Sequence, residues 1–263
     1  RRVIGITGLP GSGKSRLIDH LIQAHLDRGD KIGVVAVDPS SPVHGGALLG
    51  DRIRWMRHAT SERVVIRSLA SRGSLGGLNP AVPGIIKVMQ AAGCRLVFVE
   101  TVGLGQVGCD IQEVAQVIVA VLAPGLGDEV QMMKAGLVDI VDLLVLNKAD
   151  LPGSETAWSL LENEAEHRHL TLLQTSASSG AGIAQLLEHL DRLLAEPAPG
   201  QVRRDHRSVL ESRVMEQIIN LVRPVVAARL ERLTTEEALA IPSSRMAKES
   251  LQECASGLRE VQL

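Results

Sequence analysis

Eight consecutive residues constrain this chain more than any other feature. Gly8-Leu9-Pro10-Gly11-Ser12-Gly13-Lys14-Ser15 stand between an apolar run, Val3 to Thr7, and an amphipathic pattern carried by Leu17, Ile18, Leu21, Ile22 and Leu26. A G-x-x-x-x-G-K-[ST] segment that leaves a strand and opens a helix is a phosphate-binding loop. Its glycines let main-chain N–H groups turn inward around an anion where a side chain would block the approach. The helix N-terminus that follows adds favourable potential for negative charge. On this reading Gly11, Ser12 and Gly13 line the phosphates, with Arg16 beside them. Lys14 bridges the β- and γ-phosphates and takes part in catalysis, and Ser15 offers its hydroxyl to Mg²⁺.

The rest of the chain repeats the alternation that the loop requires. Short apolar runs at Val3 to Thr7, Ile32 to Asp38, Val64 to Ser68, Leu96 to Glu100, Val117 to Ala123, Leu143 to Asn147 and Leu170 to Thr175 are separated by amphipathic stretches. Runs that are apolar throughout are buried on both faces, so they predict an α/β three-layer sandwich with a mainly parallel sheet. Ligands on such sheets sit beyond the carboxyl ends of the strands. The chemistry-bearing residues fall there.

Asn147-Lys148-Ala149-Asp150 follows the sixth run directly. A carboxylate at Asp150 accepts from guanine N1–H and from the 2-amino group, whereas adenine offers no such donor pair. An unpaired buried carboxylate costs roughly 2 to 3 kcal/mol, about a hundredfold in preference. Ser176 and Ala177, after the seventh run, are placed to bring backbone amides to guanine O6.

For the metal, Glu100-Thr101-Val102-Gly103 ends the fourth run, where an acid can reach Mg²⁺ and the Gly103 amide can sense a γ-phosphate. Asp38 and Asp51 flank the Gly-rich stretch Gly45 to Gly50 as further oxygen ligands of a mobile first switch. Gln106 stands three places after Gly103, and Leu104 occupies the position directly following it. Nothing evident therefore orients an attacking water, and slow unassisted hydrolysis is expected.

Composition narrows the setting. The net charge of -2 gives no general reason to expect nucleic acid or an anionic membrane as partner. Three scattered cysteines without Cys-x-x-Cys spacing indicate neither a disulfide framework nor a zinc site, and point to a reducing, cytoplasmic setting. No run reaches the about 18 apolar residues of a membrane span. His167 and His169 are two apart on a polar stretch and read as solvated surface. The start at Arg1-Arg2, directly before a strand, reads as a trimmed chain or a piece of a longer protein.

Glu196-Pro197-Ala198-Pro199-Gly200 breaks the alternation and reads as a linker, which sets residues 1–196 as the nucleotide-binding domain and 201–263 as a helical arm and tail. Val209, Leu210, Val214, Ile218, Leu221 and Val225 form an apolar stripe near helical spacing, suited to a homodimer contact.

With these residues assembled, the chain resembles the ArgK/MeaB-type GTPases, chaperones of adenosylcobalamin-dependent methylmalonyl-CoA mutase within the SIMIBI class of P-loop proteins. The resemblance rests on Gly8 to Ser15, Val37 to Ser41, Gly45 to Arg52, Glu100 to Gly103, Pro124 to Glu129 and Asn147 to Asp150. It implies GTP/GDP and Mg²⁺ as ligands, with Asp38, Asp51 and Glu100 as metal-side acids. It makes Asp128 to Lys134 a third switch that senses the mutase and speeds hydrolysis, with Lys134 among the catalytic residues. It implies a cobalamin-dependent acyl-CoA mutase as partner, a dimer through the final helix, and a mitochondrial-matrix location in a eukaryote. Two departures stand out: the family's polar continuation is here Gly105-Gln106-Val107-Gly108, and its N-terminal helical extension is missing or truncated. The rival readings are a P-loop kinase of a protein or small molecule, which has little use for Asn147 to Asp150, and a nickel metallochaperone GTPase, which calls for clustered Cys and His.

Overall fold

The computed structural model describes residues 2–38, 56–58, 60–70, 78–101, 108–125 and 140–195. The chain divides into Arg1–Gly200 and Gln201–Leu263, and every described residue lies in the first unit.

Among the described residues, seven strands form one parallel sheet: β1 (Arg2–Thr7), β2 (Ile32–Asp38), β3 (Val64–Ala70), β4 (Leu96–Glu100), β5 (Val117–Leu122), β6 (Leu143–Leu146) and β7 (Thr171–Gln174). Their order is β3-β2-β4-β1-β5-β6-β7, with β1 in the middle. The α-helices described alongside them are α1 (Lys14–Asp27), α2 (Val82–Ala91), α3 (Gly108–Val114), α4 (Ser154–Arg168) and α5 (Ile183–Ala195).

The near-continuous apolar strands are explained by two separate cores. Ile4, Ile6, Val34, Phe98, Val119 and Val145 pack with the α1 and α5 side chains Leu17, Leu21, Leu186 and Leu190. Val35, Val97, Val99, Ile118, Ala120 and Leu144 face the other way, against Val82, Ile86 and Met89 of α2, Ile111 of α3 and Leu161 of α4. Successive strand residues alternate between the faces, so a strand apolar at every position fills both layers. The expected three-layer sandwich is the observed architecture.

Sheet order places the chemistry. β1 pairs with β4 in the register Ile6↔Glu100, and β2 pairs with β4 in the register Ala36↔Glu100. The loop leaving β1 therefore lies beside the last residue of β4, with Asp38 at the end of the next strand. Chain direction changes sides of the sheet between these strands, which is where α/β sheets open a ligand crevice. None of the helices among the described residues is long and apolar enough to cross a membrane.

Candidate functional site

The phosphate loop depends on two glycine conformations. Gly8 has φ +138°, and a Cβ there would stand 2.0 Å from Val121 O on the neighbouring strand. Gly13 has φ +93°, and a Cβ there would stand 2.3 Å from Asn147 Nδ2. Strand β5 and the residue after β6 thus press against the loop at points where only glycine fits. Gly13 is also the N-cap of α1; no side chain caps the helix there, and its first turn contains no acidic residue. The N–H groups of that turn are left to an anion.

Lys14 is buried, with Nζ donating to Gly8 O at 2.7 Å and to Leu9 O at 2.8 Å, which holds the ammonium over the loop. Ser15 Oγ donates to Glu100 Oε1 at 2.7 Å across 85 residues of sequence. A hydroxyl and a buried carboxylate in direct contact form a hard-oxygen pair of the kind Mg²⁺ selects, and so fit that ion. Ser12 Oγ and Thr101 Oγ1 are buried without a hydrogen-bond partner among the described residues. Groups of this kind cost about 1–3 kcal/mol unless water or a ligand completes them. Arg16 is exposed on the first turn of α1.

At the other end of the site Asn147 joins three segments. Its Nδ2 donates to Ser12 O at 2.8 Å, and its Oδ1 accepts from Thr175 Oγ1 at 3.1 Å and from Ala177 N–H at 3.0 Å. Asn147 and Thr175 are both about 1% exposed. The first residue of the Asn147 to Asp150 motif therefore clamps the phosphate loop to the loop after β7. Lys148 adopts φ +58°, a turn that lets Ala149 N–H bond Thr175 O at 3.0 Å and brings Asp150 back toward the same loop.

Asp150 Oδ2 accepts from Ser178 Oγ at 3.1 Å, and Ser178 Oγ lies 2.8 Å from Ser176 Oγ. Hydrogen bonding from Ser176, then from the backbone amide of Asp150 itself, holds the carboxyl below its ordinary value and keeps it an acceptor. The amides expected at O6 are already engaged: Ser176 N–H donates to Ala181 O at 3.0 Å and Ala177 N–H to Asn147 Oδ1.

The structure thus brings Gly11, Ser12, Gly13, Lys14, Ser15 and Glu100 into one cluster, linked through Asn147 to Lys148, Asp150, Ser176 and Ala177. Asp38 is described by its backbone alone, and Asp51, Gly103, Asp128 and Lys134 lie outside the described residues. Sequence reading missed the serines that hold Asp150 and the clamp made by Asn147. A Ser-rich loop after a strand, Ser176 to Ser179, was the available signal.

A central strand feeding a phosphate loop, with Asn-Lys-x-Asp two strands along the sheet, defines a P-loop protein of the GTPase class. The sequence model described as "Methylmalonyl Co-A mutase-associated GTPase MeaB" matches residues 1–231, and the chain belongs to that family. It is a GTP-hydrolysing enzyme, as its relatives are named. The GTPase ArgK of Escherichia coli is 33% identical over 232 residues, covering 82% of this chain and 70% of that protein. A Geobacillus kaustophilus protein named "Fused isobutyryl-CoA mutase" is 43% identical over 169 residues, 64% of this chain but 16% of that much longer protein. Among solved structures, a LAO/AO transport system kinase superposes with TM-score 0.62 at 21% identity, covering 98% of this chain and 82% of that one. HypB of Helicobacter pylori in complex with nickel gives TM-score 0.57 at 15% identity, covering 76% and 89%. At such identities both show the fold alone.

Proposed function

We propose that this GTPase gates adenosylcobalamin loading into a cobalamin-dependent acyl-CoA mutase of the methylmalonyl-CoA mutase type and protects that enzyme, with GTP hydrolysis as the timing step. The observation that carries the reading is the relative in which the matching region is one part of a protein named a fused acyl-CoA mutase. Two activities carried on one polypeptide have reason to act on one another.

In this reading the amides from Gly11 to Ser15 and Lys14 hold the triphosphate, and Asp150 takes guanine N1–H and the 2-amino group. Ser15 and Glu100, with Asp38 and Asp51, would hold hydrated Mg²⁺, which when bound neutralises charge on the β- and γ-phosphates. Gly103 reports the γ-phosphate, Asp128 to Lys134 meets the mutase, and Lys134 assists hydrolysis. Hydrolysis is slow without that partner. Residues 1–196 carry the GTPase, 201–263 supply a helical arm that pairs two copies, and the protein works in the cytoplasm, or in the mitochondrial matrix of a eukaryote.

The test is capture from cell extract on the tagged full chain, with Mg²⁺ and either a non-hydrolysable GTP analogue or GDP. Recovery of a cobalamin-dependent mutase that changes with the nucleotide supports the proposal, and recovery of none in either state removes the chaperone role. The nickel reading calls for clustered Cys and His, whereas Cys94, Cys109 and Cys254 stand far apart in the sequence.

A further inference from the structure

Between the end of β2 and the start of β3 stands a single 3₁₀ turn, Met56–His58. Its seat is Asp19 on α1. Arg57 Nη2 forms an ion pair with Asp19 Oδ2, and His58 Nε2 lies 2.8 Å from Asp19 Oδ1. The Asp19 side chain is 13% exposed and that of His58 4%, so the carboxylate meets this turn largely out of water, while Arg57 is half-exposed. Neither Asp19 Oδ1 nor His58 Nε2 has a hydrogen-bond partner among the described residues, so their close approach is not aligned as a bond. Burial, and then the charge of Arg57, hold His58 below its ordinary pKa, which leaves Arg57 as the cation of the group at neutral pH.

The chain beyond the turn is fastened as well. Ser61 N–H donates to His58 O at 3.0 Å, and Arg63 Nη1 donates to Leu26 O, near the far end of α1, at 3.0 Å. Asp19 stands four residues after Ser15, hence on the same face of α1 and about 6 Å along its axis. Asp51 precedes Arg57 by six positions. An extended chain of six residues spans at most about 20 Å. Fastening Arg57 one helical turn beyond Ser15 therefore shortens the search that Asp51 must make to reach a metal held by Ser15 and Glu100, and reduces the entropy lost in that step. An ion pair with one half-exposed member adds little to the stability of a fold. What it does fix is where the returning chain meets α1.

We propose that Asp19 is a positioning residue for the Mg²⁺ site: through Arg57 and His58 it fixes the segment that follows Asp51 to the helix that carries Ser15. The inference rests on the metal-side roles given above to Ser15 and Asp51.

The experiment follows release of a fluorescent, non-hydrolysable GTP analogue from the full chain as free Mg²⁺ is varied. Asp19→Asn and Arg57→Gln should each raise the Mg²⁺ concentration for half-maximal slowing of release about three- to fivefold, the worth of a partly exposed ion pair, and leave the rate in excess chelator unchanged. The double variant should shift that midpoint no further than the larger single one. Asp19→Arg combined with Arg57→Asp, which returns an ion pair with the charges exchanged, should restore most of the parent midpoint. Release from Asp19→Asn that is faster by the same factor with and without Mg²⁺ would mean a general disturbance of α1 and overturn the inference, as would an Arg57→Gln midpoint equal to the parent's. Failure of Mg²⁺ to slow release from the parent protein would instead remove the metal-side assignment, and this inference with it.

Discussion

Gly13→Ala is the substitution for which the structure supplies the fullest account. The new Cβ would lie 2.3 Å from Asn147 Nδ2, and the residue would keep φ +93°. Left-handed backbone costs an alanine about 1–2 kcal/mol. The amide must also move, which breaks its bond to Ser12 O and disturbs those from Thr175 Oγ1 and Ala177 N–H. At about 1 kcal/mol for each affected bond, the total is roughly 2–5 kcal/mol. Gly11 provides the control, since its φ is +86° but a Cβ there meets nothing within 4 Å. Gly11→Ala should therefore show the backbone cost alone, about 1–2 kcal/mol. Urea unfolding of the nucleotide-free proteins should separate the two variants by about 1–3 kcal/mol. In an Asn147→Ala background that separation should largely disappear, giving a coupling energy of about the same size. Equal destabilisation by the two glycine variants, or a Gly13→Ala penalty unaffected by Asn147→Ala, would refute the clamp.

Asp150→Asn should lower GTP affinity about a hundredfold and improve binding of xanthosine triphosphate, whose 2-oxo group matches an amide donor, as nucleotide titrations would reveal. Ser15→Ala should leave the protein folded but reduce the slowing of GDP release by Mg²⁺, measured with a fluorescent GDP analogue and a chelator, because a hydroxyl held 2.7 Å from Glu100 is lost. Acid stability should depend on Asp30, which accepts from His25 Nδ1 at 3.0 Å and from Arg95 Nη1 at 2.9 Å. Burial works to raise its pKa, but the His25 hydrogen bond and the Arg95 charge together leave it below the usual 3.8. A depressed folded-state pKa contributes stability that is present above the unfolded value and lost as pH falls through the folded one. Asp30→Asn should accordingly be less stable than the parent at pH 7, with the gap closing below about pH 3.8 in unfolding curves taken across the range.

Much of the fold was legible because the sheet is buried on both sides. The apolar run Ile32 to Asp38 coincides with β2 and Leu96 to Glu100 with β4, and the other five runs differ from their strands by one or two residues at an end. Such runs need neither face polar, so their length and spacing stand out without any tertiary information. The phosphate loop was legible for a different reason: its glycines answer a local backbone demand that any chain must meet in the same way. The clamp at Asn147 left no comparable trace. It joins residues 135 positions apart to others 28 and 30 positions away, and an asparagine reads the same whether it meets a base or a carbonyl. The contact of His20 Nε2 with Ala177 O at 2.9 Å was hidden because a polar residue at the edge of an amphipathic helix face is ordinarily solvated. The Asp30 cluster was hidden because Arg95 stands 65 positions from Asp30, and only the sheet order brings it beside the turn that joins His25 to Asp30.

The claim on which the rest depends is that one pocket holds a triphosphate by main-chain amides and selects guanine by the carboxylate of Asp150. Calorimetric titration of the nucleotide-free full chain with GTP and with ATP, both with Mg²⁺, tests it directly. The account predicts GTP binding about a hundredfold tighter than ATP, with the preference lost in Asp150→Ala. Equal affinities for the two nucleotides, or a guanine preference that survives Asp150→Ala, would contradict it.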